Sequence, residues 1–169
     1  PGPQLNYSVD LTTGCDSLTV QILDSSMFTV NYSFDFGDGT IIQSSSATHS
    51  YNNIGNYLIT LVGEDASGCQ SFLTLADTIR IYPSPSINIT LSDSNFCLNE
   101  VITPNNTTTQ ADFQLWTYGL QSYSISSPSI TIDQIGQNNI KYVAENTAGG
   151  CVDSIEIGVI GHQMLSCVT

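Results

Sequence analysis

The sequence predicts an all-β chain built as two tandem β-sandwich domains, and three observations carry that reading. Apolar and polar side chains alternate with period two along most of its length, the pattern of strands with one face in a core. Four of the five cysteines recur at a fixed offset, as in a duplicated unit. No apolar stripe falls at helical spacing, so helix content should be close to nil.

In order along the chain, Leu18, Val20 and Ile22 alternate with polar neighbours, followed by Phe28, Val30, Tyr32, Phe34 and Phe36. Tyr57, Ile59 and Leu61 form the next such run, and Ile79 and Ile81 flank Arg80. In the second half the runs are Ile87-Ile89-Leu91, Ile130-Ile132 and Ile155-Ile157-Val159. Turn residues separate them at the spacing expected of a β-sandwich.

Cys15 to Cys69 and Cys97 to Cys151 are both steps of 54 residues, and the two pairs are offset by 82. The same shift lays Phe34 on Trp116, Phe36 on Tyr118, Gly37 on Gly119, Ala66 on Ala148 and Gly68 on Gly150. This sets one domain at 1–82, a proline-punctuated linker at 83–86, a second domain at 87–162 and a tail at 163–169. Units of this size have small cores and gain from cross-links. Several connectivities are open to five cysteines. The economical one repeats with the domain, Cys15–Cys69 and Cys97–Cys151, each closing a loop worth about 4 kcal/mol of chain entropy. Cys167 is left unpaired or intermolecular, and the bonds imply an oxidising compartment.

The chain has 2 basic and 15 acidic residues, a formal charge of -13. That removes the cationic footprint nucleic acids require and disfavours anionic membranes. Only 10% of residues are charged, so uncharged polar side chains supply the surface, as suits a secreted protein. No apolar run approaches the ~20 residues of a membrane span. Pro1-Gly2-Pro3, with no initiator Met, reads as a piece of something longer.

The stretch Asp35-Phe36-Gly37-Asp38-Gly39 suggests metal chemistry at first sight. It lacks the spacing of an EF-hand loop and the partner motifs of a kinase site. Between strand-like runs, Asp-Gly is a turn dipeptide, so these residues serve as a structural turn. With it go His49-Ser50-Tyr51, then Gly55-Asn56-Tyr57-Leu58-Ile59-Thr60-Leu61, then Ser67-Gly68-Cys69. In that order and at those gaps the first half resembles the polycystic kidney disease (PKD) domain family. The second half resembles it more weakly. Leu115-Trp116-Thr117-Tyr118-Gly119 keeps the aromatic strand, Leu120-Gln121 replaces Asp-Gly, and Ser129-Ile130-Thr131-Ile132 has lost the His-x-Tyr residues.

The resemblance implies immunoglobulin-like sandwiches in which His49, Tyr51 and Tyr57 are structural. The cysteine placement is similar to PKD repeats of large Bacteroidota surface and secreted proteins. It implies a non-catalytic, extracellular structural or adhesive module of a long surface filament or stalk. The other implied reading is a carbohydrate- or protein-binding accessory module of a secreted hydrolase. Implied partners are neighbouring domains of the same polypeptide, polysaccharide or cell-surface protein, and copies of itself in a filament. No cofactor is required.

Calcium is the candidate metal, with Asp35 and Asp38 at the turn, or Glu64 and Asp65 beside Asp16, as oxygen ligands. Tyr7, Tyr82, Tyr123 and Trp116 are candidates for stacking on sugars, with Trp116 better placed as core. Asn6, Asn31, Asn88, Asn105 and Asn106 begin N-glycosylation triplets. Ser17, Thr78 and Ser154 fit the O-glycosylation pattern of the Bacteroidota resemblance. His49 and His162 lie in separate contexts, so neither a Ser-His-Asp triad nor a zinc site assembles.

Overall fold

The computed structural model describes residues 2–74 and 78–163. Among these residues there is no helix, and hence none long and apolar enough to cross a membrane. The chain divides into two compact units, Pro1–Pro83 and Ser84–Thr169.

The first unit holds β1 (Tyr7–Val9), β2 (Thr13–Cys15), β3 (Leu18–Asp24), β4 (Asn31–Asp35) and β5 (Ile41–Ile42). These are followed by β6 (Ser46–Tyr51), β7 (Gly55–Tyr57), β8 (Thr60–Glu64), β9 (Gln70–Thr74) and β10 (Ile79–Tyr82). They form sheets ordered β1-β3-β6, β2-β10-β7 and β5-β4-β8-β9. Alternation in β3 sends Leu18, Val20 and Ile22 inward, where they meet Phe34, Phe36, Tyr51, Ile59, Leu61, Ile79 and Ile81. Tyr7 closes the core edge-on to Phe34, and its hydroxyl donates to the Ile59 carbonyl at 2.8 Å.

Two alternating runs are broken where the sequence shows continuity. Phe28 is exposed with φ 62, so β4 begins only at Asn31. The run from Tyr57 to Leu61 is split between β7, in one sheet, and β8, in another. A strand that changes sheets keeps its alternation while exchanging its hydrogen-bonding partners.

The second unit contains β11 (Ile89–Thr90), β12 (Asn95–Cys97), β13 (Val101–Ile102), β14 (Asn105–Asn106) and β15 (Phe113–Tyr118). It continues with β16 (Gln121–Tyr123), β17 (Ile130–Thr131), β18 (Gly136–Asn146) and β19 (Cys151–His162). A five-stranded sheet, β12-β19-β18-β15-β16, faces the pairs β11-β14 and β13-β17. Trp116, Tyr118, Ile130, Ile132, Ile140, Tyr142, Ala144 and Val159 fill the core.

The duplication is visible in the registers. Phe34 pairs with Leu61, and Trp116 with Tyr142. The 82-residue offset therefore falls to 81 on the middle strand. It returns to 82 at Cys69 and Cys151, because the turn between β18 and β19 is one residue longer than its counterpart.

The cysteine pairing expected from that offset is not formed. Cys69 is a free, exposed thiol, so Cys15–Cys69 does not exist. Cys97 sits opposite His162 at one end of β19, and Cys151 begins the other end. Eleven residue steps along β19 separate them by roughly 36 Å, far beyond disulfide reach. Cys15, Cys97 and Cys151 are nevertheless all disulfide-bonded. Equal spacing reported equivalent positions in two copies, not proximity. Cys167 lies outside the described residues. Under native, non-reducing conditions iodoacetamide should therefore label Cys69, and leave Cys15, Cys97 and Cys151 unmodified in peptide maps.

Candidate functional site

The most concentrated polar chemistry of the first unit lies where β4 leaves the sheet. Asp35 Oδ1 accepts the Gly37 amide at 2.8 Å, and Asp38 Oδ1 accepts the Thr40 amide at 3.0 Å. Gly37 and Gly39 adopt φ 76 and 93, torsions open to glycine and costly for other residues. The Phe36 amide donates to the Thr40 carbonyl and closes the turn.

β6 then delivers His49 and Tyr51 to this turn. His49 Nε2 lies 2.8 Å from Asp38 Oδ2. The imidazole packs against Phe36 at 4.3 Å and edge-on to Tyr51 at 4.5 Å. Tyr51 is buried, donates its hydroxyl to the Phe36 carbonyl at 2.9 Å and stacks on Tyr57. Tyr57 in turn donates to the Asn53 carbonyl. The carboxylates hold the turn, the imidazole clasps it to β6, and the phenols tie it to the core.

The electrostatics agree with a structural role. Burial pushes the Asp38 carboxyl up, but hydrogen bonds from the Thr40 amide and His49 outweigh it and hold the group below the usual carboxylate range. Burial, reinforced by the Asp38 charge, raises the Tyr51 phenol well above its ordinary value. Asp65 is lowered by the Ser67 hydroxyl and the Cys69 amide, Asp93 by the Asn95 and Ser94 amides, and Asp112 by Thr147. A carboxylate whose folded pKa is depressed adds stability above its unfolded value, and that stability disappears as pH falls through the folded value. Calorimetry should thus give a melting temperature that is flat from about pH 7 to 5 and drops below about pH 4. Asp38→Asn should weaken that acid dependence.

The five candidate calcium ligands do not converge. Among the described residues no three His, Cys, Asp or Glu side chains gather as a metal site. Asp35 and Asp38 serve their own turn, and Asp65 Oδ1 accepts Ser67 and Cys69 amides in the next one. Glu64 is held between Asn31 and Gln70, and the disulfide that would have brought Asp16 beside it is not formed.

The expected stacking aromatics are also displaced. Tyr7 and Trp116 are buried, and Tyr82 and Tyr123 half-buried, whereas Phe72 is 70% exposed. Ser17 and Ser154 are exposed and Thr78 half-buried. Asn6, Asn31, Asn88 and Asn105 are exposed. Asn106 is half-buried, and its amide donates to Gln114 Oε1 and the Ser126 carbonyl, so it offers no free nitrogen for a glycan. His162 lies 3.2 Å from Asn95 Oδ1 at the end of β19, within the sheet.

One group of side chains has no counterpart in the sequence-based expectations. On the outward face of β5-β4-β8-β9, Asn31, Glu64 and Gln70 stand abreast on three strands. Asn31 Nδ2 donates to Glu64 Oε1 at 3.3 Å and Gln70 Nε2 to Glu64 Oε2 at 2.9 Å. Period two places each residue outward, but only the register aligns them.

Residues 4–81 match the family model of the PKD domain. The PKD match covers the turn, the His49 clasp and all ten strands except the last residue of β10. No curated protein matches the chain. Among solved structures, the PKD1 domain of Vibrio anguillarum Epp is similar at 22% identity and TM-score 0.41, over 48% of this chain and 96% of that one. The fibronectin(III)-like modules of Clostridium thermocellum CbhA give 14% identity and TM-score 0.46, over 94% and 95%. A structure of carbohydrate-binding modules from the β-sandwich superfamily gives 19% and 0.47, over 86% and 55%.

Proposed function

We propose that the chain is a non-catalytic, extracellular structural module, two successive units of a surface filament or stalk that hold and space neighbouring domains. The observation that carries this reading is the commitment of Asp35, Asp38, His49 and Tyr51 to holding a turn against a core. Groups engaged in this way hold the turn rigid against the core, as a spacer requires. The PKD match over the first unit supports a module of this kind, and the disulfide-bonded cysteines support an oxidising compartment.

Force spectroscopy on the reduced full chain tests the proposal. Two unfolding events should appear, each releasing about 28 nm of chain, at forces typical of sandwich domains. A single event, or extension without resistance, would sink the spacer reading. Calcium should leave the melting temperature unchanged, since among the described residues the candidate ligands do not gather into a site.

A further inference from the structure

We propose that the outward face of β5-β4-β8-β9 in the first unit is a binding site for neutral polysaccharide. The inference goes beyond the spacer role and stands apart from it, giving the first unit a ligand class and a place to hold it. A cleft of about 680 Å³ opens there, lined by Asn31, Ser33, Ser44, Val62, Glu64 and Gln70 among others. Its volume is within the usual range for small-ligand sites.

The chemistry of the cleft selects the ligand. Glu64 is fixed by an amide on each side, so its carboxylate is oriented before any ligand arrives. Amide and hydroxyl groups supply both donors and acceptors along the row, the complement of vicinal sugar hydroxyls. Val62 lies in the next row, and its cross-strand neighbour Phe72 is exposed on the same face. An exposed ring beside a polar row offers an apolar platform for the C–H face of a sugar. Neighbouring strands are about 4.8 Å apart, so three of them give a footprint about 10 Å wide, suited to a chain of sugar rings.

Charge excludes the anionic alternatives. No lysine or arginine lines the cleft, and the unit's one basic residue, Arg80, is on β10 in a different sheet. An acidic polymer would meet Glu64 without compensation.

The second unit contains its own contrast. The equivalent row is Phe113, Glu145 and Val152: the carboxylate remains and both amides are replaced by apolar side chains. The same scaffold there has neither the orienting amides nor the donor set, so the site belongs to the first unit alone.

Affinity electrophoresis of the full chain through gels containing galactomannan, xyloglucan or mixed-linkage β-glucan tests this, with alginate and polylysine as charged comparisons. At least one neutral polymer should retard the protein. Phe72→Ala and Glu64→Gln should each weaken that retardation at least tenfold while preserving the melting temperature, and Glu145→Gln should leave it unchanged. No retardation by any of the three overturns the proposal, as does retardation that survives Phe72→Ala and Glu64→Gln. Binding to polylysine alone, lost with Glu64→Gln, would also overturn it and assign the cleft to a cationic peptide. The two-event force trace does not depend on any of these outcomes, so failure here leaves the spacer reading standing.

Discussion

Replacing Gly37 by valine should unfold or severely destabilise the first unit while leaving the second intact. At φ 76 a β-branched residue is strained, and a Cβ at this position would lie 2.6 Å from the Leu58 carbonyl oxygen. That oxygen belongs to the backbone and has little room to yield. The torsional strain and the overlap together should cost about 3–5 kcal/mol, a large share of the stability of an 80-residue unit. Gly39 has a similar torsion, φ 93, with open space around its Cα. Gly39→Ala should therefore show the torsional part alone, about 1–2 kcal/mol. Chemical denaturation followed by tyrosine fluorescence and circular dichroism separates the two. Equal losses at both positions would mean that the Leu58 contact is unimportant.

Trp116→Ala should do the same to the second unit. Trp116 is fully buried, packed on Tyr142 at 4.4 Å, and paired across strands with both Tyr142 and Tyr123. Deleting a side chain of this size from a core costs about 3–5 kcal/mol. Trp116→Phe should be far milder. The indole N–H has no hydrogen-bond partner, so phenylalanine removes an unsatisfied donor as well as volume, and these effects oppose each other. Phenylalanine is also what the first unit carries at the equivalent position, Phe34. Thermal unfolding of the two variants decides the matter. A Trp116→Phe loss as large as that of Trp116→Ala would show that the indole nitrogen is satisfied in solution.

Of the clasp, the turn was legible from residue types and the His49 role from the family resemblance. Asp35 and Asp38 are turn formers by residue type, and their oxygens accept amides two residues on. The family resemblance implies a structural His49, and its nitrogen contacts Asp38. These are short-range relations, set by torsional preference and by the reach of a side chain. The candidate calcium ligands do not gather among the described residues, because the Asp35, Asp38 and Asp65 carboxylates are each oriented by amides of their own turns. Trp116 is core, as its alignment with Phe34 predicts, but Tyr7 is buried and offers no stacking face, because period two says that alternate residues share a face without saying which face is buried. Phe72 and the row of Asn31, Glu64 and Gln70 were missed because their adjacency depends on the pairing of three strands.

By itself the amino-acid order determined that this protein is all strand, that its first unit bends at an acidic turn, and that it holds two copies of one unit. Each follows from local chemistry: the period of the strands, the torsions Asp and Gly tolerate, and the identity of residues at a fixed offset. Only the tertiary structure decided which cysteine stays a thiol, where the 82-residue offset slips to 81, and which polar side chains stand abreast in the cleft. Those features depend on strand register between residues remote in sequence. Register is selected by the burial of whole sheet faces, so no single residue announces it.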